Sequence, residues 1–204
     1  MGKRRQGVNG KMKRFFLIAA VLAAPVALAE KMEGFAANYY QDDPSIPSYT
    51  VTKNLAPEII VGDDIFVMEF SRLSDISKKS GAATHQDEQA SWLCLSAKNI
   101  NYWFISDNEM GQGNLTSIAI SQGIRQQACS FYNGSLRVRI EGIPLLKATL
   151  KDLSTAFSDI PDKNSIQYCA DSQSYGDFTQ MNCLHYFLEN KQIKGVFISQ
   201  ITSS

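Results

Sequence analysis

The chain has 204 residues, with 20 Lys and Arg against 20 Asp and Glu. Six of the basic residues and none of the acidic ones fall in residues 1–29, which leaves 14 basic against 20 acidic residues beyond Ala29, a formal net charge of −6. That balance excludes a nucleic-acid backbone binder, which needs clustered Lys and Arg, and favours a soluble chain or a cationic partner.

Residues 1–29 read as an export signal. Lys11, Lys13 and Arg14 form a basic region, Phe15 to Ala27 an apolar run, and Ala27-Leu28-Ala29 a small-x-small cleavage pattern. The run is too short to span a bilayer comfortably, so no stable membrane insertion is expected after signal removal. Met12 is an alternative start that keeps these features. No cysteine follows the small residues, so no lipid anchor is expected there. Residues 30–57 read as a poorly ordered leader, punctuated by Asp42-Asp43-Pro44, Pro47 and Pro57, with Tyr39-Tyr40 and Tyr49 as isolated aromatics.

Residues 58–204 read as an α+β domain. Ile59-Ile60-Val61 and Ile65 to Phe70 are strand-like runs around Gly62-Asp63-Asp64. A helix is predicted over 71–80, capped by Ser71, with Leu73 and Ile76 on one face and Gly81 as its stop. Strands follow over 91–97, 101–106 and 115–121, then over 128–132, closed by Asn133-Gly134. Leu136-Arg-Val-Arg-Ile140 alternates apolar with charged, as a strand with one wet face does. Thr149 and Asp152 resemble a capping box at the head of a helix running to Phe157, with Leu150, Leu153, Ala156 and Phe157 on one stripe. Pro161 ends it, and a strand is predicted over 166–170. The run from Cys183 to Ile201 reads as two strands folded back at Asn190-Lys191, with apolar side chains on both faces. The expected architecture is an antiparallel sheet with one or two short helices packed on it. Two tandem helix-plus-three-strand units fit the pattern, over 58–125 and 126–204.

The cysteines Cys94, Cys129, Cys169 and Cys183 all lie beyond the cleavage pattern. An even count in an exported chain predicts two disulfides. Of three possible pairings, Cys94–Cys129 and Cys169–Cys183 are favoured, because each closes a loop within one local unit. A zinc site would need C-x-x-C spacing that does not occur, and no cofactor is expected.

Catalytic patterns are sparse. His85 sits in a polar loop. His185 and Cys183 share a strand face, but a nucleophilic thiol must be reduced, and the disulfide reading denies that. Asp107-Asn-Glu109 with Gly111, Gly113 and Asn114 holds oxygen ligands, yet lacks the spacing of a calcium loop and reads as a turn. G-x-S-x-G, H-E-x-x-H and P-loop patterns do not occur. Asn114 and Asn133 begin glycosylation sequons, which act only in a eukaryotic secretory pathway. The aromatics read mostly as core. Tyr102 and Trp103 are adjacent and point to opposite faces, so Tyr102, Trp103, Tyr132 and Tyr175 are the candidate anchors for a protein partner.

Leu146-Lys-Ala-Thr-Leu-Lys-Asp-Leu153, followed by a helix and antiparallel strands with a cysteine on each of two, resembles one module of the β-lactamase inhibitor protein family. It is also similar to small outer-membrane assembly lipoproteins of the SmpA type. The likeness covers residues 146–201, with Lys147 where those modules carry Gly and Leu153 where they carry Val. It implies a non-enzymatic protein-binding module. The expected function is therefore a periplasmic or secreted binding protein, such as an inhibitor or immunity protein. An envelope assembly or maintenance factor is the alternative, and a secreted hydrolase using His185 or His85 a second one.

Overall fold

The computed structural model describes residues 2, 30–41, 43–159 and 164–203, without the side chains of 172–175. The export signal expected over 1–29 thus lies, apart from Gly2, outside the described residues. In chain order come a 3-10 helix (Gly34–Tyr40), β1 (Ser48–Thr50), β2 (Glu58–Val61), β3 (Asp64–Phe66), α1 (Leu73–Ser80), β4 (His85–Gln86), β5 (Ala90–Ala97), β6 (Ile100–Asp107), β7 (Ser117–Gln122), β8 (Ser130–Phe131), β9 (Leu136–Arg139), α2 (Leu150–Ala156), β10 (Ser165–Tyr175), β11 (Phe178–Glu189) and β12 (Gln192–Ser203). Among the described residues, nine strands form one sheet, ordered β1-β10-β11-β12-β7-β6-β5-β4 with β8 beside β5, and β3-β2-β9 form a second.

The fold is α+β, but the expected antiparallel sheet is instead large and mixed. β1 runs parallel to β10, and β8 runs parallel to β5. Each is a two- or three-residue segment laid along an edge by a remote loop, where it pairs backbone groups that an open edge would leave bare. The triplets β5-β6-β7 and β10-β11-β12 lie side by side and join through the antiparallel pairing of β7 with β12.

Local chemistry explains the punctuation. At α2 the Thr149 side chain accepts from the Asp152 amide and the Asp152 carboxylate accepts from the Thr149 amide, a full capping box. α1 ends on Gly81 at φ 75°, whose N–H donates to the Ser77 carbonyl. Its N-cap is Arg72, not Ser71, whose hydroxyl instead accepts from the Val67 amide. Lys98-Asn99 and Asn190-Lys191 each place two successive residues at positive φ, the backbone of a two-residue hairpin turn that follows strand twist.

The large sheet carries two packed faces. On the first, Leu93, Phe104, Ile118, Ile198, Leu184 and Tyr168 pack under the α-helices and the small sheet. The Phe157 ring stacks on Tyr168 at 3.8 Å. Fully burying such a side chain contributes about 1.5–3 kcal/mol. On the second face lie Trp92, Cys94, Trp103, Ile105, Ala119 and Phe197, covered by Met32 and Ala36. Residues 30–57, expected to be poorly ordered, thus hold a helix and a strand and bury Met32, Ala36 and Leu55. The cysteines pair as Cys94–Cys129 and Cys169–Cys183, the second bond joining residues directly opposite on β10 and β11.

Candidate functional site

Pairing register places Gln167, His185, Phe197, Ala119, Trp103 and Cys94 in one row across the second face. The N-terminal segment crosses half of this row. The Phe35 ring centroid sits 5.5 Å from that of Phe197, 5.3 Å from Phe187 and 6.4 Å from Trp103. Gly195 makes room for it: a Cβ there would fall 2.4 Å from the Phe35 ring and 2.7 Å from the Ile120 carbonyl oxygen.

Two tyrosine–carboxylate clamps fix the segment. The Tyr39 hydroxyl donates to Asp107 Oδ2 at 2.8 Å, and the Tyr40 hydroxyl donates to Asp87 Oδ2. The amides of Gln89 and Ala90 donate to Asp87 Oδ1, and the Met32 amide donates to the Tyr40 hydroxyl. Burial works to raise the Asp87 pKa, yet the Tyr40 hydroxyl and the two amides outweigh it and hold the carboxyl below its usual range. Burial and the carboxylate partners push both phenols up. Asp107 Oδ1 meanwhile accepts from the Glu109 and Met110 amides. The oxygen-rich stretch over 107–114 is therefore a turn capped by its own aspartate.

The uncovered half of the row opens into a groove of about 620 Å³, walled by Gln167, Cys183, His185 and Ser199 on one side and by Asn38, Tyr39 and Asp107 on the other. His185 Nε2 lies 2.9 Å from Ser165 Oγ, and its ring packs on Phe187 at 3.9 Å. Burial lowers its pKa to about 4, so the imidazole is neutral at neutral pH. A hydroxyl beside a neutral imidazole is the first pair of a nucleophile relay. Cys183, the neighbour that the sequence offers this histidine, does share its face but is bonded to Cys169. Ser165 is the missed neighbour, reached across the β10–β11 ladder.

Met110 and Thr116 belong both to this groove and to a second cavity of about 500 Å³, lined also by Glu69, Phe70, Gln180 and Thr202. Glu69 has a left-handed backbone, φ 63°, and its carboxylate gathers four donors. The Thr202 amide donates at 2.7 Å, the Thr202 hydroxyl at 2.8 Å, Gln180 Nε2 at 3.0 Å and Gln200 Nε2 at 3.1 Å. Burial opposes its charge, but these donors win and keep the carboxyl below its usual range. The loop so pinned presents Phe70, 78 % exposed, beside Met110, 57 % exposed. Ile201 lines the groove next to Met110, and Met181 stands opposite it on β11. Phe70 and Met110 thus form an exposed apolar ridge beside the second cavity, while the Met181–Ile201 pair points to the other face of the strands.

The partner anchors expected from sequence fall elsewhere. Trp103 is 1 % exposed under the N-terminal segment, and Tyr102 is buried on the first face. Tyr132 is half-buried against the core, and the Tyr175 side chain lies outside the described residues. The other histidine, His85, stacks on Trp92 at 4.4 Å and lies 3.5 Å from Glu30. Among the described residues no cluster of His, Cys, Asp and Glu could hold a metal ion, and no helix is long and apolar enough to cross a membrane. No protein-family model, no curated protein and no solved structure matches the chain.

Proposed function

We propose that this is an exported, periplasmic or secreted protein-binding module, an inhibitor or immunity protein, that engages its partner through the ridge of Phe70 and Met110. The supporting observation is the ridge itself: Phe70 and Met110 stand exposed on a loop and a turn held by the hydrogen bonds of Glu69 and Asp107. Contiguous exposed apolar surface rimmed by polar groups is what protein interfaces use. Rigid presentation lowers the ordering cost of binding. The signal pattern, the two disulfides and the likeness of residues 146–201 to an inhibitor module point the same way. The test compares wild-type protein with a Phe70→Asp/Met110→Asp variant as bait in envelope extract. A partner retained by the first and lost by the second is expected. Identical bound fractions would remove the ridge from the reading.

A second reading, a secreted hydrolase, draws on the contact between Ser165 and His185. Ester hydrolysis that disappears in both Ser165→Ala and His185→Gln would favour it.

A further inference from the structure

We propose that a cleft at the end of the first-face core binds a single-chain fatty acid, with its alkyl tail in the cleft and its carboxylate at Lys147. The cleft holds about 270 Å³. Ile100 and Ile120 of the large sheet form one wall, and Ile143 and Leu146 of the segment between β9 and α2 form the other. This is many times the ~10–15 Å³ that one water occupies on the same measure, so an alkyl chain has room. The charged side chains that line it are Arg139 and Lys147, both cationic. The groove and the second cavity differ, since each includes a carboxylate, Asp107 in one and Glu69 in the other.

The two cations are not equivalent. Arg139 is engaged by Glu58. Lys147 is exposed and has no ion pair among the described residues, so its ammonium is open to an anion. Tyr102 also lines the cleft. Its ring is buried against the core, and its hydroxyl makes no hydrogen bond among the described residues, so it is free to donate to a ligand. An apolar trough beside an unpaired cation matches the two halves of a fatty acid. The tail gains by leaving water, and the carboxylate takes charge-assisted bonds.

The experiment is a methyl NMR titration of the full chain with sodium decanoate below its micellar range. Saturable shifts of the Ile100, Ile120 and Leu146 methyl signals are expected. Lys147→Glu should weaken binding by about tenfold, the scale of one lost bond to a charged group. Leu146→Trp should fill the cleft and abolish the shifts while distant methyl signals stay in place. Because Lys147→Glu alters an exposed side chain, it keeps the test decisive if Leu146→Trp fails to fold. The proposal is overturned if these methyl signals do not move, or if decylammonium binds as tightly as decanoate. It is also overturned if Lys147→Glu binds as wild type does, or if phosphatidylglycerol vesicles shift the signals and decanoate does not.

Discussion

The two faces of the large sheet are closed by different physics. The first is sealed by helices and a second sheet over aliphatic and aromatic side chains, with polar groups kept to its margins. The second is sealed over half its area by a segment of about a dozen residues, which buries only Met32 and Ala36 fully and is pinned by Tyr39 and Tyr40 to Asp107 and Asp87. A face closed by burial gives way only when the whole domain does. One closed by a few directed bonds can open by itself. The ridge and the groove adjoin this second kind of closure.

The sharpest way to break the comparison is to cut one side chain from each face. Phe104→Ala on the first face should cost about 3–5 kcal/mol in urea unfolding, as a large core truncation does. Phe35→Ala on the second, where the ring is half-buried, should cost clearly less. Equal losses would show that the two faces are closed alike. The disulfides come next. Replacing Cys94 and Cys129 by Ala opens a loop of 35 residues and should cost roughly 4 kcal/mol, against roughly 3 kcal/mol for the 14-residue separation of Cys169 and Cys183. Comparing the denaturant midpoints of the two double variants checks the order.

The acid side gives a third test. His185 has a folded pKa of about 4 against an ordinary 6.5. Between those values the unfolded chain holds a proton that the folded chain does not, so stability rises with pH from about 4 to 6.5 and is flat for this group above and below. The full shift is worth up to about 3 kcal/mol. His185→Gln should flatten that part of the curve, and an unchanged slope would assign it to other groups. The smallest expected effect is the most local. Tyr40→Phe leaves buried Asp87 without its phenol donor and should cost about 1–2 kcal/mol. Hydrogen exchange should rise over residues 30–41 while the β5–β7 amides keep their protection. Gly195→Ala, by pushing Phe35 off the sheet, should do the same from the opposite side.

Elements written in local pattern were legible from sequence. The Thr149–Asp152 cap, the stop at Gly81, the turn at Asn190-Lys191 and the strand triplets all depend on neighbours within a few residues. The disulfide pairing followed because each bond closes a short span. What depends on remote partners was not legible. Tyr39 finds Asp107 at 68 residues' distance and Tyr40 finds Asp87 at 47, so the segment carrying them reads as a punctuated leader. β1 and β8 are too short to show any period, and only their host strands define them. The parallel pairings that make the sheet mixed were hidden with them. In the site, His185 stood out as one of two histidines, but Ser165 needed the ladder register to come beside it. Trp103, a candidate anchor by sequence, is buried because the N-terminal segment is laid over it, and no local pattern shows that layer.

The place of β12 bears on how the chain is made. It lies between β11 and β7, whose residues precede it by up to about 80 positions, and its Phe197 supports Phe35. The seat of Phe35 is therefore finished only when the last strand of the chain has added to the edge of β7, although Trp103 and Asp107 already offer the N-terminal segment part of it.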